Sequence, residues 1–192
     1  MTTALIILGL LLLLLIYGVF IYNSLVQIKH NVSQAWSNID ILLKQRHDEL
    51  PKLVEACRQY KEFEQTTLQR VTEARARVQQ AREAGDIPAL GLAETALRGG
   101  LGQIFATVEA YPELKTHEQF MHLLNRITSL ENAIADRREL YNEAVNINNV
   151  RIEQFPDNIV AGMFHFPRRP LLTFTTGDKR DVDMRALFTP SA

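Results

Sequence analysis

The residues with the most chemistry in this chain are five histidines, one cysteine and one glycine-rich stretch. The histidines are His30, His47, His117, His122 and His165. His117 and His122 stand five apart, so on a helix they point to different faces, and the position that would pair with His117 holds Met121. Glu118 and His122 share a face at i and i+4, but two ligands fall short of the three or four that zinc needs. No HExxH pattern is present. Surface histidines are the simpler reading, and no metal is expected. Cys57 sits on an apolar stripe and, being alone, forms no intramolecular disulfide. It reads as a small buried apolar residue. No serine occupies a strand–turn–helix elbow, and no glycine-rich loop follows a strand to cradle phosphate. The expectation is a protein without catalytic residues, metal or cofactor.

Gly99, Gly100 and Gly102 fall in the middle of a helical pattern, where glycine costs about 1 kcal/mol against alanine. The functional reading is close helix packing or self-association; the alternative is a local kink. Polar residues on or beside the apolar stripes form a second group: Asp40, Arg46, Asp48, Arg137, Arg138, Asn142, Asn148 and Arg151. On paired helices Asp40 and Arg46 could meet residues 137–142, either as a structural pair that sets register or as a ligand or partner site.

The elements that position these residues begin with ALIILGLLLLLLIYGVFIY, from Ala4 to Tyr22. These 19 residues carry no charge, close to the ~20 needed to cross a bilayer as a helix. A cleaved signal peptide would want a basic start and a small-residue cleavage site; Lys29 is the first basic residue, and Tyr17, Phe20 and Tyr22 are too bulky for such a site. The expectation is a single-pass anchor over residues 1–23, with Ala4, Leu5, Ile6, Leu10 and Leu15 in lipid and Tyr17, Phe20 and Tyr22 towards the interface. Lys29 and His30 after the span favour a cytoplasmic body. The net charge of −1 gives no sign of a nucleic-acid partner.

Beyond the anchor the apolar residues recur at steps of three and four, the helical period. Leu25 to Tyr60 makes one stripe, with Pro51 expected to kink it near 47–50. Phe63 to Ala81 makes the next, ending at Gly85, a C-terminal cap. Asp86 is an N-cap with Pro88 in the first turn. The third stripe runs from Leu90 to Tyr111 and stops at Pro112. Thr116 and Gln119 suggest a capping box for a last helix with Phe120, Leu123, Leu124, Ile127, Leu130, Ile134, Tyr141, Val145, Ile152 and Phe155, stopped by Pro156.

These stripes predict an all-α fold: a transmembrane helix, then an antiparallel up-and-down four-helix bundle over residues 24–156, with two long helices and two shorter ones. One junction is open. YKEFE, residues 60–64, holds no Gly or Pro, so the first two stripes could be one helix. Length favours a break: Asn23–Lys61 and His117–Phe155 are 39 residues each, about 58 Å of helix, and would pair end to end. The tail, residues 157–192, is apolar and then basic. Ile159, Val160, Met163, Phe164 and Phe166 would then return to the bilayer surface, with Arg168 and Arg169 at anionic head groups; the alternative is an ordinary cap on the bundle. Leu171 to Thr175 has an extended pattern.

The segments AWSNIDILLKQRHDELPKLVEACRQYKEFEQTTLQRVTEARA, ALRGGLGQIFATVEAYPELKTHEQFMHL and ENAIADRRELYNEAVNINNVRIEQFPDNIVAGMF, with the oily start, resemble the LemA family. The likeness runs from the anchor to about Phe166. It implies a bacterial, membrane-anchored four-helix bundle, and hence the break near residues 61–64. It also implies association with envelope stress, at times beside a membrane metalloprotease, or with magnetosome membranes. The chain departs from the family at Gln45-Arg46, where two basic residues are usual. It departs again at Asn132-Ala133, where Asn-Arg is usual, and at Val145–Asn149, which usually reads closer to Val-Arg-Asp-Tyr-Asn. Any role of those basic groups is therefore in doubt here.

The functional expectation is a non-enzymatic scaffold in the bacterial inner membrane, homo-oligomeric, touching membrane lipid and organising or curving it. The competing class is an adaptor that holds a membrane protease or stress protein.

Overall fold

The computed structural model describes residues 1–174, and every regular element among them is helical. Residues 175–192, the second half of the expected tail, lie outside the described residues. The elements are α1 (Thr2–Arg58), α2 (Gln65–Ala84), α3 (Ile87–Ala110), a short 3₁₀ helix (Pro112–Thr116), α4 (Glu118–Glu153) and α5 (Asp157–Met163).

Helix α1 has 57 residues, about 86 Å of helix. No Gly or Pro separates Tyr22 from the stripe that follows, and Asn23 and Ser24, residues that often cap helices, stay inside this one. The helix also continues through Pro51, the proline at which a kink is expected. The open junction resolves as a break at residues 59–64. What ends α1 there is packing rather than a helix breaker. The Tyr60 ring lies 6.5 Å from Phe63 and 5.8 Å from Phe120, and Phe63 lies 5.9 Å from Phe120. An aromatic cluster of this kind rewards turning the chain.

The chain divides into two compact units. The first holds residues 1–49 and 122–171. Here Leu25, Val32, Ile39 and Leu43 of α1, and Ile127, Leu130, Ile134 and Val145 of α4, are buried. Each such side chain contributes about 1.5–3 kcal/mol on leaving water. Contacts pair Ser24 with Arg151, Trp36 with Tyr141 and Arg46 with Glu131. Residue numbers fall on α4 as they rise on α1, so the two helices run in opposite directions.

The second unit holds residues 50–121 and the chain from Leu172. Its core draws Leu53 and Cys57 from α1, Leu68, Val71 and Val78 from α2, and Leu97, Leu101 and Ile104 from α3. The α2–α3 turn follows its sequence signals closely. Gly85 adopts φ 66°, in the left-handed region that glycine enters at no steric cost. Asp86 N–H then donates to Ala81 O at 3.0 Å, and the Asp86 carboxylate accepts from Ala89 N–H at 2.9 Å. Thr67 of α2 and Gln103 of α3 hydrogen-bond at 3.1 Å.

Two expectations change. The Thr116 hydroxyl donates to Glu113 O at 2.7 Å and closes the 3₁₀ turn rather than building a capping box with Gln119. Pro112 dictates this, because it starts a tight turn that uses the threonine locally. Helix α4 stops at Glu153, so Phe155 leaves the core stripe and is 75% exposed.

Candidate functional site

Helix α5 is the element no sequence pattern announced, and it is docked on α1 where the apolar run ends. Ala161 is buried with Ile21 and Leu25, and Ile152, Val160 and Phe166 pack against that cluster. The Tyr22 ring lies 4.7 Å from Phe164 and 5.9 Å from Phe166. Asp157 is buried in the first turn of α5, and its carboxylate pairs with Arg151 Nε at 2.8 Å. Arg151 also donates to Ser24 Oγ at 3.2 Å. One guanidinium thus ties α4 to both α5 and α1, using the fixed fork that suits arginine to this task.

The chain leaves α5 through His165, whose φ of 56° is left-handed without being glycine. Phe166 N–H donates to Ala161 O at 3.0 Å, a helix-ending bond of the Schellman kind. That reversal returns Phe166 to the α1 cluster. Residues 167–170 then run along α4. Asn149 clamps Arg169 from both sides: Asn149 Nδ2 donates to Arg169 O, and Arg169 N–H donates to Asn149 Oδ1, each at 2.9 Å. Asn148 Nδ2 donates to Pro167 O at 3.4 Å, and Tyr141 Oη to Pro170 O at 3.1 Å. Burial raises the Tyr141 pKa, partly offset by the charge of Arg169.

The expected tail residues therefore divide. Ile159, Met163 and Phe164 face outward, while Val160 and Phe166 turn towards α1. Arg168 pairs with Glu153 at 2.7 Å, both side chains being exposed. Of the polar group, Asn148 and Arg151 hold the tail and α5. Arg46 pairs with Glu131, at 2.6 Å, six to eleven residues before the 137–142 stretch expected to face it. Sequence reasoning missed Glu131, Asp157 and the outward position of Phe155. Glu131 carried a signal, since it falls one residue after Leu130 on the buried stripe.

The anchor residues Ala4, Leu5, Ile6, Leu10, Leu15, Tyr17, Phe20 and Tyr22 are all exposed. Among the described residues α1 is the helix long and apolar enough to cross a membrane.

The glycines separate as well. A Cβ on Gly100 would lie 2.7 Å from Val71 Cγ2, so this glycine lets α2 approach α3. Gly99 and Gly102 face open space and do not contribute to that contact. They lie on the outward side of α3 with Leu92, Ala96 and Ala106. Beside this face, Ala81, Ala84, Ala89 and Ala96 line a groove of ≈ 420 Å³, with Arg77 and Asp86 at its rim.

His117 is a helix-junction residue, its ring 5.2 Å from Tyr60. Among the described residues no three His, Cys, Asp or Glu side chains converge on a metal position. Cys57 is buried, and burial pushes its thiol up to about 12. Its raised pKa favours the neutral form, so this group's contribution to stability is intact below the ordinary thiol value and fades as pH rises from about 8.5 towards 12. At pH 7.5 N-ethylmaleimide is expected to label the folded protein at least roughly 10³-fold more slowly than the denatured chain. Equal rates would place Cys57 in water.

The fold and this site define a membrane-associated protein whose described elements are all helical. The LemA family model matches residues 35–185, most of the chain, and the protein belongs to the LemA family. The matched range begins inside α1, beyond the apolar run. Among similar proteins, magnetosome protein MamQ 2 of Paramagnetospirillum magneticum (strain AMB-1) is 24% identical over 77% of this chain and 62% of its own length. MamQ of Magnetospirillum gryphiswaldense is similar to the same degree. Protein LemA of Metamycoplasma hominis is 26% identical over 86% of this chain and 74% of its own length. The chain thus spans 62% of the length of the MamQ relatives.

Proposed function

We propose that this protein is a non-enzymatic scaffold, anchored in a bacterial plasma membrane with its helical body on the cytoplasmic side, that self-assembles to organise or curve the bilayer. The body is proposed to be an antiparallel up-and-down four-helix bundle, with α1 and α4 the long helices and α2 and α3 the short ones. The observation that carries the reading is the unbroken α1. A flexible linker would decouple the body from its span. Here helical backbone continues from the apolar run into the first unit with no break, so any lateral contact between bodies is transmitted to the tilt of the spans.

The outward face of α3 supports self-assembly. No outward charge interrupts it between Asp86 and Glu109, since Glu94 is buried and Arg98 half-buried. A second copy is the proposed occupant of the neighbouring groove. Leu92 projects beside a channel lined by alanines, and a two-fold axis would bring Arg77 of one copy to Asp86 of the other. The similarity to magnetosome proteins fits a membrane-organising role.

The test is cryo-electron imaging of the full-length protein in vesicles of phosphatidylethanolamine and phosphatidylglycerol. Regular arrays or curved membrane are expected. Four glycines inserted between Phe20 and Ile21 should leave insertion intact but abolish the deformation, and Leu92→Glu should scatter the arrays. Single copies on undeformed vesicles would overturn the scaffold and favour the adaptor.

A further inference from the structure

We infer that α5 is a lipid-contacting foot: its outward side lies in the head-group–acyl boundary beside the exit of α1. The inference rests on the reading of α1 as a membrane span.

Placement comes first. The uncharged run Ala4–Tyr22 has 19 residues, about 28 Å of helix, against a hydrocarbon thickness of about 30 Å. Ile21 and Tyr22 therefore sit where acyl chains meet head groups. Helix α5 is fastened to that same turn. Ala161 packs with Ile21, Phe164 lies on Tyr22, and the Arg151–Asp157 pair locks the first turn of the helix. Wherever Tyr22 sits in the bilayer, α5 sits beside it.

The faces of the segment agree with that depth. Asp157 and Ala161, one turn apart, point inward and are buried. Ile159 and Met163, also one turn apart, point outward, and Phe155 and Phe164 flank them. All four are more than half exposed. From Gln154 to Phe164 the sole charged side chain is Asp157, which is buried and paired. The outward side therefore presents large apolar groups and no charge. Basic residues (Lys29 of α1, with Arg168 and Arg169 after α5) follow at the end of each segment. A surface this apolar, continuous with a span, matches a lipid boundary.

The experiment places a single tryptophan at Met163 in a Trp36→Phe background. The full chain is reconstituted in phosphatidylethanolamine–phosphatidylglycerol vesicles whose acyl chains are brominated either near the head group or near the methyl end. Circular dichroism confirms that each variant is folded. Severalfold quenching of Met163→Trp by the shallow bromines is expected, with little from the deep ones. Ile41→Trp, exposed on α1 and about 30 Å further along the helix, should stay unquenched. If Met163→Trp is quenched no more than Ile41→Trp, the foot is refuted while the anchor stands. A blue-shifted, unquenched emission that disappears on dilution with lipid would show a second copy on the patch and equally refute it. Leu10→Trp separates the underlying reading: if deep bromines leave it bright, the apolar run does not cross the bilayer, and the anchor and the foot fall together.

Discussion

Replacing Glu131 with alanine is expected to destabilise the folded protein by about 3–5 kcal/mol, because it removes a carboxylate paired with a buried guanidinium. Arg46 is 1% exposed, and its Nη1 lies 2.6 Å from Glu131 Oε1. A lysine or histidine in such a place could lose its proton; arginine cannot. Water is displaced from Arg46 on folding, so the carboxylate supplies part of the interaction that water gives in the unfolded chain. Removing the carboxylate leaves the desolvation in place with a major compensation gone. The reciprocal change, Arg46→Met, should hurt less, since Glu131 is less deeply buried and can draw on solvent. The double change Arg46→Met with Glu131→Leu should recover most of the loss, because a well-packed apolar pair of similar volume often replaces a buried ion pair at little cost. Thermal and chemical melts followed by helical circular dichroism in detergent would measure all three. A loss below about 1 kcal/mol for Glu131→Ala would mean that the pair is solvated and behaves as a surface bridge. The pair also bears on the departure at Gln45-Arg46. Only the second of the two basic positions usual in the family is basic here, and that one has a structural partner inside the first unit.

Helix positions were legible in the sequence to within a few residues because apolar spacing and caps are local. Gly85, Asp86, Pro112 and Pro156 each mark a boundary the structure keeps. The break after Arg58 was not written locally, since its cause is the meeting of Tyr60 and Phe63 with Phe120, nearly sixty residues away. The same limit hid α5. A seven-residue helix has too few turns to show a period, and its stability comes from docking on Ile21 and Leu25 rather than from propensity. The oily character of residues 155–166 was plain; which of them face α1 and which face outward was not, because that division depends on the partner surface. Polar residues were legible as a set, but several of their partners were not. Arg46 meets Glu131, and Asn148 and Asn149 hold backbone of the tail, contacts that lie 85, 19 and 20 residues apart in sequence.

The glycines of α3 give the second large set of effects, and its sign changes from one position to the next. In a helix, glycine to alanine gains about 1 kcal/mol from restricted backbone freedom wherever the new methyl finds room. Gly99 and Gly102 meet open space, so each alanine there should stabilise by about that amount. Gly100 should do the reverse. Its new Cβ would stand 2.7 Å from Val71 Cγ2, and a β-branched side chain on a helix has one strongly preferred rotamer and little freedom to retreat. The α2–α3 contact must open, at a net loss of about 1–2 kcal/mol after the backbone gain is subtracted. Gly91 should be the most sensitive of the four, although nothing in its sequence context singled it out. A Cβ there would run into the carbonyl oxygen of Thr173. The obstacle is backbone, so relief requires the 172–174 segment to lift from α3. That movement would expose Leu172, now buried, and carry Phe174 off the Arg98 guanidinium it covers at 5.1 Å. The expected loss is about 3 kcal/mol or more, with amide exchange at Thr173 and Phe174 accelerated while exchange in α4 is unchanged. If Gly91→Ala instead matched Gly99→Ala in stability, residues 172–174 would not be packed on α3. The contacts of residues 166–170 within the first unit, among them those of Tyr141, Asn148 and Asn149, would be unaffected by that outcome.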